Sequence, residues 1–199
     1  MNVSSTKLAF IGIMTAACVS SNYLMIGLVN IKFMDLFVFI SGYVMGGLSG
    51  ASVGVLTWLV YGTFNPLGFN LLTLASTCLG ESLYGLVGGL SARFGLLASA
   101  SHGTASGEDF FASNFKIGIV GFLLTFVYDL FTNIVSGVSV GISPFVAIVA
   151  GIPFAVAHEG SNFFFFFLGG NVLIRAIQKV TFGGGEKLRY REVAGCGSQ

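Results

Sequence analysis

A few ionisable side chains interrupt the long apolar stretches of this sequence, and they are the residues best suited to chemistry. The stretch 34–80, for example, contains a single charged side chain, that of Asp35. An ionisable group inside an apolar helix is costly to bury, so such groups commonly line a substrate or ion pathway. The sequence therefore marks five groups as candidates for ligand contact: Asp35, Glu81, Asp129, His158 and Glu159.

Polar and aromatic side chains accompany these groups at the spacing of one helical turn. Residues three or four apart share a helix face, as Tyr84 does with Glu81 and Asn133 with Asp129. Aromatic faces hold a planar ligand, while a few polar groups fix its orientation. We predict a substrate pocket formed by Asn22, Lys32, Asp35, Trp58, Tyr61, Asn65, Glu81, Tyr84, Tyr128, Asp129, Asn133, His158, Glu159 and Asn162.

Several of these residues have a plainer structural interpretation. Trp58 and Tyr61 fit an aromatic belt at a membrane surface equally well. Glu81 is also explained by a hydrogen bond to a neighbouring helix. Lys32 and Asp35 form either a gate or an exposed ion pair that contributes little energy. The sequence alone leaves these alternatives open.

The motifs of several other function classes do not occur in the chain. The segment 158–162 (HEGSN) approaches the zinc motif HExxH, but Asn162 stands where that motif needs its second histidine. No phosphate-binding loop ending in Gly-Lys-Ser or Gly-Lys-Thr occurs, so we do not expect this chain to hydrolyse ATP. The three cysteines are far apart, and the net charge of +1 gives no nucleic-acid footprint. We therefore expect no catalytic residue, metal or cofactor, and no enzyme activity.

The composition identifies the elements that must position the candidate residues. The chain of 199 residues is 54% hydrophobic and only 9% charged, whereas soluble domains are about 25% charged. Its mean hydropathy is +0.89. A helix needs about 20 apolar residues to cross a bilayer, and the sequence contains several such stretches. It predicts an all-α, polytopic membrane protein rather than a soluble domain.

Six transmembrane spans account for the apolar stretches. One transmembrane domain then covers residues 1–180, with a flexible cytoplasmic loop at 98–114 and a basic cytoplasmic tail at 181–199. A bend is expected at Pro153, because proline removes a helix hydrogen bond. The predicted spans are 8–29, 33–47, 51–64, 69–92, 115–139 and 144–180.

The separation of the second and third spans depends on a turn and on charge. The segment 46–50 (GGLSG) suits a tight turn. With six spans, Lys32 is the only basic residue on one side, and the positive-inside rule places both termini in the cytoplasm. The other side carries Lys7, Arg93, Lys116, Arg175, Lys179, Lys187, Arg189 and Arg191.

Small residues recur at intervals of four and predict close helix packing. Glycines every four residues let helix backbones approach each other in lipid. Gly85 and Gly89 repeat this interval in the fourth span, where we expect packing within the chain. Gly12, Ala16 and Ser20 form a similar stripe in the first span, which suits either internal packing or docking of a partner. The longest series is Gly42, Gly46, Gly50 and Gly54.

Four stretches are similar to segments of a known family. Residues 33–65 (FMDLFVFISGYVMGGLSGASVGVLTWLVYGTFN) are the most specific, with two helices joined at a glycine-rich turn. Residues 7–20 (KLAFIGIMTAACVS) are similar to that family's first helix. The stretches 128–133 (YDLFTN) and 153–162 (PFAVAHEGSN) are similar to polar segments of its last two helices. With these features the chain resembles the S component, the substrate-binding membrane subunit, of energy-coupling factor (ECF) transporters.

This resemblance implies a function and partners. An S component captures a vitamin or related micronutrient outside the cell membrane, under a lid formed by the first outer loop. It then docks on a transmembrane coupling subunit that carries two ATPase subunits. The resemblance assigns this docking to the stripe of Gly12, Ala16 and Ser20. The alternative is a self-sufficient secondary transporter or channel for a small polar solute, with the buried carboxylates relaying protons.

Overall fold

The computed structural model describes residues 4–64, 68–96 and 107–183, with side chains described from Phe110 onward in the last range. These residues form six helices and no strand, so the all-α prediction is confirmed. The helices are α1 (Ser5–Leu24), α2 (Met34–Met45), α3 (Gly47–Phe64), α4 (Leu71–Arg93), α5 (Gly107–Ser139) and α6 (Pro144–Phe182).

Five of the described helices are long and apolar enough to cross a membrane, as expected of a membrane protein. The one remaining described helix, α2, has 12 residues and is about 18 Å long. It is therefore well short of a hydrocarbon core of about 30 Å. Large apolar side chains also remain uncovered by the chain, such as Leu24 (86% exposed) and Val180 (87% exposed). Such surfaces suit a lipid environment.

The fifth helix is longer than the sequence predicted. It begins at Gly107, so 107–114 are helical and not part of the predicted loop 98–114. The physical reason is polar pairing with α6, because the Asn171 side chain donates hydrogen bonds to Ser113 Oγ and Asn114 Oδ1. Residues 98–106 of that loop and 184–199 of the predicted tail lie outside the described residues.

Most other boundaries agree with the predicted spans to within about three residues, but α3 begins at Gly47, four residues before the predicted start, and the first span ends early. Helix α1 ends at Leu24, and residues 25–33 form a connecting segment, called here the 25–33 segment. Helix α6 runs through Pro153 without interruption, so the proline does not divide it. The α5 and α6 helices, with 33 and 39 residues, exceed the thickness of a bilayer.

A single glycine connects α2 to α3, as the predicted turn requires. Gly46 has φ +91°, a left-handed conformation that side chains with a Cβ rarely adopt. The amides of Ser49 and Gly50 donate to the Gly46 carbonyl, which starts α3 at once. The two helices are therefore separate elements.

Glycines bring the α2–α3 hairpin into backbone contact with α4. A Cβ on Gly42 would overlap the Gly85 carbonyl, and one on Gly85 would overlap the backbone of Gly50 and Ala51. A Cβ on Gly54 would lie 2.9 Å from Glu81 Cγ. The predicted internal packing is confirmed for Gly42, Gly50, Gly54 and Gly85 but not for Gly46, whose Cβ would meet no atom within 4 Å. This packing places Glu81 against α3.

The small-residue stripe of α1 faces away from the chain. Gly12, Ala16 and Ser20 are all exposed, and a Cβ on Gly12 would meet no atom within 4 Å. In the 18-residue apolar stretch of α1 only 17% is buried inside the chain, compared with 44% in the corresponding stretch of α3. This stripe therefore does not serve packing within the described chain.

Candidate functional site

A histidine held between two aspartates forms the centre of a buried polar network. His158 Nδ1 lies 2.9 Å from Asp129 Oδ1, and His158 Nε2 lies 2.7 Å from Asp35 Oδ2. The three side chains come from α6, α5 and α2, and each residue is at most 4% exposed. Three of the predicted pocket residues are thus brought into direct contact.

The geometry of this triad requires two shared protons. Each of the two N···O contacts requires a proton, because a bare ring nitrogen and a bare carboxylate oxygen are both acceptors. Either an imidazolium lies between two carboxylates, or a neutral imidazole lies between one carboxylate and one protonated carboxyl. Both arrangements carry a net charge of −1 when the other two carboxyl oxygens bind no proton.

Two further predicted residues extend the network through a threonine. Asn162 Nδ2 donates to Asp35 Oδ2 at 2.6 Å and to Thr125 Oγ1 at 2.7 Å, and the Tyr84 hydroxyl donates to Thr125 Oγ1 at 2.9 Å. All four side chains are buried. Thr125 is not among the residues predicted from the sequence. Its position one helical turn before Asp129, which places it on the same helix face, is the signal that could have found it.

Beside this network, an indole and a carboxylate meet between α3 and α4. Trp58 Nε1 donates to Glu81 Oε2 at 3.3 Å. Glu81 therefore does form a hydrogen bond to a neighbouring helix, as the structural interpretation of this residue expects. Trp58 and Tyr61 pack edge to face, and both are 8% exposed. Rings buried in this way do not form a lipid-facing aromatic belt.

The Lys32 side chain of the 25–33 segment lies over Trp58 and Tyr128, which are called here the aromatic group. Its Nζ lies 4.7 Å from the centre of the Trp58 ring and 5.8 Å from the centre of the Tyr128 ring, which is cation–π geometry. Asp35 is buried and bonded to His158, so it does not form an exposed ion pair with Lys32. The predicted surface pair is therefore excluded.

The 25–33 segment is anchored across the bundle near this group. Asn30, with φ +55°, donates from Nδ2 to the Phe154 carbonyl of α6 at 3.0 Å. At the end of α1, just before the segment, the Tyr23 hydroxyl donates to the Phe64 carbonyl at 3.4 Å. The segment thus covers one end of the bundle and delivers Lys32 to its interior.

Several buried polar atoms of the site have no hydrogen-bond partner among the described residues. An unsatisfied buried polar atom costs about 1–3 kcal/mol, so proteins retain few of them. A cluster of such atoms at one place indicates a site that is completed by something other than the chain itself. The atoms are Glu81 Oε1, Tyr128 Oη, Asp129 Oδ2 and Asn162 Oδ1.

Other predicted pocket residues lie apart from this cluster. Asn133 and Glu159 line an apolar groove of about 210 Å³ between α5 and α6, which Asp129 also reaches. Asn22 is buried and bonds Met34 Sδ between α1 and α2. Asn65 lies outside the described residues. The groove and the buried network share only Asp129.

The network gives no support to a metal centre. The described residues contain no group of three or more histidine, cysteine, aspartate or glutamate side chains arranged to hold a metal ion. Both ring nitrogens of His158 are already occupied by carboxylates.

No protein-family model matches the chain, and no curated protein or solved structure is significantly similar to it. The function of the site is therefore argued from its own geometry.

Proposed function

We propose that this protein is the substrate-capturing membrane subunit of an ECF-type importer for a vitamin or related micronutrient. The observation that carries the proposal is the cluster of unpartnered, buried polar atoms among aromatic rings, covered by the 25–33 segment. A binding site for a small organic molecule needs this combination of apolar walls and a few polar groups. The residues proposed to contact substrate are Asp35, Trp58, Glu81, Tyr84, Tyr128, Asp129, His158 and Asn162, while Lys32 belongs to the segment that covers them.

The proposed orientation puts the 25–33 segment outside the cell. The chain then crosses the plasma membrane six times with both termini cytoplasmic, and α2, which is too short to cross alone, is held in place as a hairpin with α3. The distribution of basic residues supports this orientation, because Lys32 is alone at one end. The site then lies beneath the segment that faces the outside, where a substrate captured from outside would enter.

Import against a gradient needs an energy source, and we propose that other subunits supply it. The sequence has no phosphate-binding loop, so ATP hydrolysis is assigned to separate ATPase subunits joined through a coupling protein. The exposed stripe of Gly12, Ala16 and Ser20 is the proposed docking face, because small residues permit close approach of a partner helix in lipid.

The proposal is tested by native mass spectrometry of the protein purified in mild detergent from its own membrane. A co-purified molecule of vitamin size, together with ATP-dependent uptake when the coupling subunits are present, is the expected result. Sustained accumulation by the purified chain in vesicles that contain no ATPase would refute the proposed dependence on partners.

Bulky residues on the α1 stripe are expected to separate binding from transport. Gly12→Leu and Ala16→Leu should leave substrate affinity within about twofold, because the side chains at these positions point away from the chain. Uptake and co-purification of the coupling subunit should fall at least about tenfold, since close helix approach is blocked. Ala75→Leu is the matched control, as Ala75 is an exposed alanine of α4. An intact complex in both α1 variants would place the docking face elsewhere.

One observation favours a second candidate function, a proton-driven carrier. A histidine bridging two carboxylates is an arrangement found in membrane proton relays. Uptake by such a carrier should stop when the proton gradient is collapsed while ATP is held constant. Uptake by the proposed importer should continue under the same conditions.

A further inference from the structure

The buried site contains more carboxyl groups than basic side chains. The Asp35–His158–Asp129 triad combines two carboxyl groups with one imidazole. Glu81, which is 1% exposed, supplies another carboxylate that interacts electrostatically with Asp35. Lys32 is the one further cation among the described residues that acts on both groups. Three carboxyl groups therefore share this buried site with two basic side chains, those of His158 and Lys32.

The aromatic group already holds a cation. The Lys32 ammonium lies over the faces of Trp58 and Tyr128. Within the described chain, the ion pairs join His158 to the two aspartates. The Lys32 ammonium therefore contacts aromatic faces and has no direct carboxylate partner among the described residues. The rings thus form a place where a positively charged nitrogen is stable.

Three of the four unpartnered atoms of the site need hydrogen-bond donors, whereas the fourth, Tyr128 Oη, can donate or accept. Glu81 Oε1, Asp129 Oδ2 and Asn162 Oδ1 have no donor among the described residues, and all three are carboxylate or amide oxygens that accept hydrogen bonds. The orientation of the Asn162 amide follows from its donation to Asp35. A ligand rich in N–H groups satisfies these oxygens, whereas an anionic ligand repels the two carboxylates.

We propose that the ligand of this site is an organic cation whose charged nitrogen binds against Trp58 and Tyr128, at the position marked by the Lys32 ammonium. The ligand and Lys32 then compete for the same rings, so the 25–33 segment moves Lys32 aside when the ligand binds. This inference rests on the proposed function, because it names the chemical class of the captured substrate.

The chain carries its own reporter for this test, because Trp58 is its only tryptophan. The full-length protein in mild detergent is titrated at constant pH with benzylammonium, benzyl alcohol and benzoate, which share a ring and differ in charge. A saturable change in tryptophan fluorescence is expected with benzylammonium alone. Lys32→Met should raise its affinity at least about threefold by removing the competitor, and Glu81→Gln should lower it at least about tenfold.

Two variants with the same changes of charge serve as controls. Lys116→Met alters an exposed lysine of α5. Glu108→Gln alters the second residue of α5, a position about 30 Å along that helix from the level of Asp129. Both should bind benzylammonium like the parent protein. Equal or tighter binding of benzyl alcohol or benzoate overturns the inference, as does loss of binding in Lys32→Met.

Absence of a cation-selective response in both the parent protein and Lys32→Met also overturns it. None of these results contradicts the capture function, which fails separately if ATP-dependent uptake with the coupling subunits cannot be measured. Cation binding without such uptake would retain the inference about the site and reject the proposed importer.

Discussion

Replacing Gly85 with alanine is expected to prevent α4 from packing against the α2–α3 hairpin. The added Cβ would overlap backbone atoms of Gly50 and Ala51. Backbone atoms cannot rotate away as a flexible side chain can, so relief requires the helices to separate. Overpacking typically costs about 1–3 kcal/mol and occasionally more. We expect a loss of at least about 3 kcal/mol here because both partners are backbone.

Thermal unfolding in detergent, followed by size-exclusion chromatography, measures this effect. The control is Gly12→Ala, the same substitution at a helical glycine whose Cβ would meet no atom within 4 Å. That variant should match the parent or gain about 0.5–1 kcal/mol, because alanine favours the helix more than glycine does. A Gly85→Ala protein as stable as Gly12→Ala would show that α4 does not pack as described.

Removing the central histidine is expected to have a comparable effect. His158→Ala leaves the Asp35 and Asp129 carboxylates buried without the group that joins them. Breaking a buried pair in this way costs about 3–5 kcal/mol. Ligand binding should also be lost, because both aspartates belong to the proposed site. The measurements are thermal unfolding of the purified variant and co-purified ligand by native mass spectrometry.

A double variant separates the charge effect from the cavity left by the imidazole. Asp129→Asn added to His158→Ala removes one of the two carboxylates while keeping the shape of the side chain. Coupled residues show interaction energies of about 0.5–3 kcal/mol, and we expect at least about 1 kcal/mol of stability to return. If the two changes were simply additive, the uncompensated charge would not be the cause of the destabilisation.

The local features of the chain follow from its sequence. Long apolar stretches can only be stable as helices in lipid, because each helix satisfies its own backbone groups. The turn at Gly46 and the interval between Gly42, Gly50 and Gly54 are also readable, since a left-handed turn and close packing both favour a residue without a Cβ. The ionisable residues that form the site were identified for the same reason: a charge within an apolar stretch is conspicuous.

The choice between alternatives at single residues depended on the fold. Asp35 and Lys32 were compatible with a surface ion pair, yet Asp35 is buried against α6. The helical conformation of 107–114 is also not evident from composition, because the polar residues there are typical of a loop, whereas in the fold Asn171 of α6 pairs with Ser113 and Asn114. Local composition does not contain the partner that makes a polar segment favourable as a helix.

What only the tertiary structure decided is which polar residues meet. Asp35 lies 123 residues before His158, and Asp129 lies 29 residues before it, yet both bond the same ring. Helical spacing groups residues on one face of one helix, but the rotation and crossing of helices are set by packing across the whole bundle. For that reason the sequence determined the helices and the candidate groups. The packing of the helices placed His158 at the centre of the polar network and Asn133 and Glu159 in a separate groove.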